Sequence, residues 1–319
     1  MLIIQFPHRK DEYPCNRFWL NQTLGITRWN PTDKHWRRLV RHKGEYVDRV
    51  GKKYGELAFW TEWEANTHAE QFPSHLVNAN AVGVTAKWVH AVLKPTRKYF
   101  PNMPAVCDLC AFNTDPCVFG DTFKYCCCRQ SAIALTKSIL RHADEDEEGA
   151  LIIFCSRLEG KLCVDTVIVI PPDKGQDYVA GNANSIRKLG TSQDYRNLTL
   201  DRLQQGCHYR FYRGATYQNQ HEEMYSFTPA RKWNDKGCGE RFVLDLSKIQ
   251  KIGTAAGVGN ILEAESWRNI KKTTCSTTAG KSVWSEIVSQ IDSKGGVLGV
   301  HFDWPTNTVS GIKGNGGVK

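Results

Sequence analysis

Short apolar runs bounded by turn residues outnumber stripes of helical period along this chain. Leu2-Ile-Ile-Gln-Phe6 reads as a strand stopped by Pro7. Residues 57–64 read as a strand with Trp60, Glu62 and Glu64 on one face and Phe59, Thr61 and Trp63 on the other. Ala150–Cys155 and Lys161–Ile170 form a hairpin pattern around a turn at Ser156–Gly160, and the second run is apolar enough to predict a central strand. Asp165 interrupts it and must reach a partner, sit at a bulge or face a site, because a lone buried carboxylate is costly. Further strands are predicted at Cys207–Gly214, at Met224–Thr228 ending before Pro229, at Arg241–Leu246 and at Val297–Trp304. Helical spacing is confined to residues 32–43, where Thr32 can cap and Trp36, Leu39 and Val40 share a stripe, to 131–141, to the second half of 178–205, and to 282–291. Many strands and few helices predict an α+β fold: a mixed, curved β-sheet with peripheral helices.

With 41% hydrophobic and 24% charged residues in 319, the composition is that of a folded globular chain and excludes collagen-like or small disulfide-knot classes. The formal charge of +9 understates the basic surface, because acid is concentrated at Asp144–Glu148; a polyanion such as DNA is the expected partner. On the predicted helix, Lys34, Arg37, Arg38 and Arg41 lie off the apolar stripe, where they can meet a phosphate backbone or simply be solvated. No run approaches the ~20 apolar residues of a membrane span. The expected location is the cytoplasm, without a membrane partner. Six of the twelve cysteines lie between Cys107 and Cys128 and read as thiols. Cys107 and Cys110 have the spacing of half a zinc site, but Cys117 is isolated and Cys126, Cys127 and Cys128 are adjacent, so neither metal nor cofactor is expected. On a strand those three would alternate as small core side chains.

The densest motif is Asp115-Pro-Cys-Val-Phe119-Gly-Asp121-Thr-Phe123-Lys-Tyr125, continuing to Gln130 and, beyond 131–141, to the Ile-rich run after Gly149. This order resembles the opening of the nucleotide-modification-associated domains, relatives of the PUA and EVE base-reading folds. Here Asp115-Pro116 stands at an Asn-Pro position and Gly149-Ala150 at a Gly-Asp position. The resemblance spans about residues 115–170. It implies a PUA-like base-binding region within residues 1–175, with an α+β region at 176–319 packed against it as one compact unit. It also implies an aromatic pocket for a flipped base, with Trp60, Trp63, Phe119, Phe123 and Tyr125 stacking and Asp115, Asp121 or Gln130 reading the base edge.

A held base can be recognised or excised. Cleaving an N-glycosidic bond passes through an oxocarbenium-like sugar, for which a carboxylate that activates water is the natural catalyst; Asp115, Asp165 and Glu62 are the candidates, each set in apolar or aromatic sequence. The expected function is a DNA glycosylase acting on hydroxymethylated or glucosylated cytosine in phage DNA, with a non-catalytic reader as the alternative. A third reading starts from Tyr212-Arg213-Gly214, Ser226-Phe-Thr228 and Glu263-Ala-Glu265, which resemble the Arg, Ser-rich and Glu-x-Glu signature of ADP-ribosyltransferases. Otherwise Arg213 reads as a phosphate or carboxylate contact at a turn. No nucleophile elbow is present, and the glycines of 253–259 lack the Lys-Ser/Thr of a phosphate loop.

Overall fold

The computed structural model describes residues 1–7, 37–63, 67–79, 86–92, 115–128, 130, 148–158, 160–172, 174–203, 205–264 and 270–306. Among these the fold is α+β, built on three sheets. The five-stranded sheet contains β1 (Leu2–Pro7), β7 (Ala150–Leu158), β8 (Lys161–Ile170), β12 (Phe242–Val243) and β13 (Lys271–Thr274), in the order β12-β8-β7-β1-β13. It is mixed: β1 runs parallel to β7, while β1–β13, β7–β8 and β8–β12 are antiparallel. The six-stranded sheet contains β2 (Arg37–Asp48), β3 (Gly51–Glu62), β4 (Thr67–Gln71), β5 (Trp88–Val92), β11 (Thr228–Lys232) and β14 (Val297–Phe302). A third sheet joins β6 (Lys124–Tyr125), β9 (Gly175–Val179) and β10 (His208–Arg213).

Two large cores follow from the alternation of side chains on β1, β7 and β8. Ile4, Phe6, Ile152, Phe154 and Ile168 face one core, which also takes Phe59, Trp63, Phe119, Tyr125 and residues of β10. Ile3, Leu151, Ile153, Val167 and Val169 face the other. That second face is covered by α3 (Leu246–Ala255) and α4 (Thr277–Ser293), through Ile249, Val283, Trp284 and Ile287. Two short helices, α1 (Ala183–Lys188) and α2 (Gln193–Leu198), bring Ile186, Tyr195 and Leu198 to the first core. Their caps are local: Asn182 accepts from Ser185 N–H and Ser192 from Tyr195 N–H.

The predicted strands at 2–6, 150–155 and 161–170 exist, that at 57–64 is observed as β3 up to Glu62 and that at 207–214 as β10, and the second half of 178–205 is helical as expected. The predicted helix at 32–43 does not exist over its described part: residues 37–48 are β2, paired with all twelve residues of β3. Leu39 and Val40, assigned to one helical stripe, point to opposite faces, Leu39 toward Trp60 and Phe72 and Val40 toward Phe59 and Phe119. Tertiary pairing overrides the coincidental i, i+3, i+4 spacing. Pro229 lies within β11 rather than ending a strand. It pairs with Leu298 of β14, while pairing with β3 starts only at Ala230, so its missing N–H breaks no ladder there. The predicted strand at 241–246 shrinks to two residues because Asp245 caps α3 through Ser247 N–H. The last helix starts at Thr277, not after Gly280: Ser276 caps it by accepting Ala279 N–H, and α4 runs through Gly280, where a Cβ would strike the Met1 side chain. Cys126, Cys127 and Cys128 follow β6 and belong to a turn, not a strand.

Residue 175 is no boundary in the sheets, since β1, β2, β3 and β8 pair with β13, β14, β11 and β12. No helix of the described residues is long and apolar enough to cross a membrane.

Candidate functional site

The conspicuous polar cluster lies where the six-stranded and five-stranded sheets meet. Arg37 opposite Glu62 in the β2–β3 register sets both side chains on one face, together with Leu39 and Trp60. On β8, Cys155 pairs with Val164 and Phe154 with Thr166, so Asp165 has no residue opposite and stands at a β-bulge. The bulge aims its carboxylate between two guanidiniums: Oδ2 lies 3.3 Å from Arg37 Nε, and Oδ1 lies 3.5 Å from Arg241 Nη2. Arg37 Nη1 is also 3.7 Å from Glu62 Oε2. Arg241 stacks over Trp60, 4.3 Å from the ring centroid, which closes the group.

All five side chains are buried. Glu62 and Asp165, predicted separately, are therefore joined through Arg37. Trp60 belongs to the same place. Sequence reasoning missed Arg241, which reads there only as the start of a strand; no local signal marks it.

The cluster is incompletely bonded. Arg37 Nε, Nη1 and Nη2, Arg241 Nε and Nη1, Trp60 Nε1 and Asp165 Oδ2 are buried without a hydrogen bond among the described residues. Buried polar atoms in folded proteins are overwhelmingly satisfied, so such a concentration singles out this place. Cys155 lies beside it, and burial pushes its thiol well above the usual range, with Asp165 adding and Arg37 opposing.

The Asp115 motif is built differently. Asp115 is buried, and its carboxylate accepts the N–H groups of Cys126 (3.0 Å), Cys127 (2.8 Å) and Cys128 (2.7 Å). Burial raises its pKa while these three bonds pull it down. Asp115, Cys126 and Cys127 bring possible metal-ligand atoms within 4.8 Å of one another. Three N–H dipoles already occupy that carboxylate, however, and burial raises both thiols, which opposes the thiolate form a metal needs. The arrangement anchors a turn. Gln130 likewise binds backbone, donating to Arg210 O at 2.8 Å and accepting from Arg210 N at 2.7 Å.

The motif's aromatic residues pack inside the protein. Phe119 meets Trp63 edge-on at 4.8 Å between centroids, and Phe123 is in the same core. Tyr125 donates to Cys128 O. These contacts place Trp63, Phe119 and Tyr125 away from the Trp60 face of β3.

The basic residues placed on the predicted helix are also relocated. Arg37 is only 1% exposed and Arg38 9%, because both belong to a central strand; the picture of a solvated phosphate-binding helix is corrected for them. Arg41 is half-buried, paired with Glu56 at 2.7 Å and stacked on Trp233. Lys34, Glu64, Glu265, Cys107 and Cys110 lie outside the described residues, as does the predicted helix at 131–141.

Arg213 donates to Leu189 O at 2.5 Å and lies 3.7 Å from Asp121. Ser226 Oγ accepts Val169 N–H, and a Cβ at Gly214 would strike it, which explains that glycine as a close approach between chain segments. Two parts of the transferase-like signature thus serve internal contacts.

No family model, curated protein or solved structure matches the chain.

Proposed function

We propose that the protein acts on nucleic acid by seating an extruded base at the Arg37–Glu62–Asp165–Arg241 cluster and hydrolysing its N-glycosidic bond. The observation that carries this reading is the bulge that turns Asp165 toward Arg37 and Arg241, beside Glu62 and the Trp60 indole. In the reaction a carboxylate takes a proton from water as its oxygen bonds to the sugar carbon. The carbon–nitrogen bond breaks and its electron pair leaves with the base. A carboxylate held near the sugar also screens the positive charge that develops there. Trp60 supplies a flat face and the guanidiniums supply donors for the base.

The net charge of +9 supports a DNA partner. All nine described cysteines are free thiols, which supports a reducing, cytoplasmic setting. The resemblance at 115–170 supports a modified cytosine, and such a base in phage DNA would make this an antiviral activity. A non-catalytic reader is the second reading, favoured by one feature: the guanidiniums facing Asp165 can hold a ligand without chemistry.

Incubation with DNA containing cytosine, hydroxymethylcytosine or glucosylated hydroxymethylcytosine, followed by mass spectrometry of released bases and an abasic-site assay, tests the proposal. The expected result is release of a modified base that falls at least 100-fold in Asp165→Asn or Glu62→Gln. Binding without release identifies a reader. Neither binding nor release rejects both.

A further inference from the structure

Many cations of the described surface are neutralised in pairs, such as Arg49 with Asp292, Lys52 with Glu45, Lys53 with Asp48 and Lys281 with Glu223. The face formed by β9, β10 and α1 is different. Arg210 lies opposite Asp177 in the β9–β10 register and His208 opposite Val179, so these four side chains share one side of the ladder. Ser185 Oγ accepts Val179 N–H at 2.9 Å, and Gln176 Nε2 donates to Lys188 O at 3.2 Å. These bonds hold α1 along β9 and bring Arg187 and Lys188 to its edge, which Lys174 directly precedes. Lys174, Arg187, Lys188 and His208 are exposed, and none has an acid partner among the described residues.

The same elements enclose a cavity of about 210 Å³ whose lining includes Asp177, Ser185, His208 and Arg210. At about 30 Å³ per water it holds several waters, and so has room for one phosphate group. It offers the Arg210 guanidinium, the His208 imidazole and the Ser185 hydroxyl, whose oxygen serves Val179 N–H while its hydrogen is left to donate. The opposing acid is Asp177, paired with Arg210 at 3.3 Å. Its side chain is 80% exposed, so that pair is worth little and yields to a stronger anion. A phosphodiester strand fits: one phosphate enters the cavity, and its neighbours meet the flanking cations in solvent, where no charge is left buried and uncompensated.

We infer that this face binds the sugar–phosphate backbone of DNA, with a phosphate on Arg210, His208 and Ser185 and the adjoining ones on Lys174, Arg187 and Lys188. The inference rests on the nucleic-acid reading of the protein but not on the chemistry at Asp165, and it locates the charge-dependent part of binding.

The test measures, by fluorescence anisotropy over a range of salt, binding of short labelled DNA, single- and double-stranded, and of labelled poly-glutamate to the full-length protein. The variants are Lys174→Ser/Arg187→Ser/Lys188→Ser, Asp177→Asn and, as a control that removes cations elsewhere, Lys52→Ser/Lys53→Ser. The triple variant should bind DNA at least tenfold more weakly at about 100 mM salt and lower the slope of log K against log salt by about 2 to 3. Asp177→Asn should tighten DNA binding about twofold to fivefold, since it removes the competing acid. The control should change affinity less than about twofold.

Wild-type affinity in the triple variant, or an equal loss in the control, would overturn the inference. Poly-glutamate bound as tightly as DNA would also overturn it, in favour of an acidic protein partner. If modified bases are released from DNA while the triple variant binds as the wild type does, the excision reading stands and this placement fails. If the wild type binds no DNA, both fail.

Discussion

Asp115 shows how one side chain can organise a turn. Its carboxylate gathers three successive amides that no strand ladder takes, and substitution by Asn would present N–H groups to N–H groups. Asp115→Asn should lower stability by about 2–4 kcal/mol, read from urea unfolding midpoints, because charge-assisted bonds are lost and buried donors are stranded. His42 predicts a pH effect. Its Nε2 lies 2.9 Å from Asp303 O, and burial holds its pKa below 6.5, with Asp303 and Glu56 pulling the other way. Below pH 6.5 the unfolded chain binds a proton that the folded protein resists, so stability falls as pH drops through the folded-state value. Unfolding midpoints between pH 7.5 and 5.5 should show this loss, and His42→Gln should flatten it. The motif around Asp115 was visible in sequence as a concentration of turn and aromatic residues. Its inward commitment was not, because only the fold shows that the nearest unpaired donors are three backbone amides.

At the scale of elements, one turn and one helix reveal local compromises. His221 and Met224 pair around Glu222 and Glu223, whose φ angles are 50° and 63°. Left-handed conformations at both central positions favour Asn or Gly. Glu222→Asn should stabilise the protein by about 0.5–1 kcal/mol, measured by thermal melting, while Glu223 keeps its pair with Lys281. Gly280 presents the reverse case, since glycine inside α4 costs helix propensity but leaves room for Met1. Gly280→Ala should destabilise by about 1–3 kcal/mol in the same measurement, packing strain exceeding the propensity gained. Element identity failed where periodicity was read without partners. Strand β2 carries an accidental helical spacing, and its twelve-residue ladder with β3 and further pairing with β14 decide the conformation.

At the scale of the whole molecule, the sheets bind distant parts of the chain together. A fragment of residues 1–175 would lack β11, β12, β13, β14 and the helices α3 and α4, leaving apolar faces and ladder edges open. It should show no cooperative melting transition by circular dichroism, whereas the full chain should. The apolar runs of β1, β7 and β8 declared their own burial, since such segments lower their free energy by leaving water in any compact arrangement. The interruption at Asp165 likewise declared that something must compensate it, and the sequence by itself determined the mixed α+β class and the basic balance. Tertiary structure decided the register, the bulge and the meeting of Arg37, Glu62, Asp165, Trp60 and Arg241. Hydrophobic period is a local property written in neighbouring residues. The partner of a buried charge is set by long-range sheet pairing, which brings residues as far apart as 37 and 241 to the one carboxylate of Asp165.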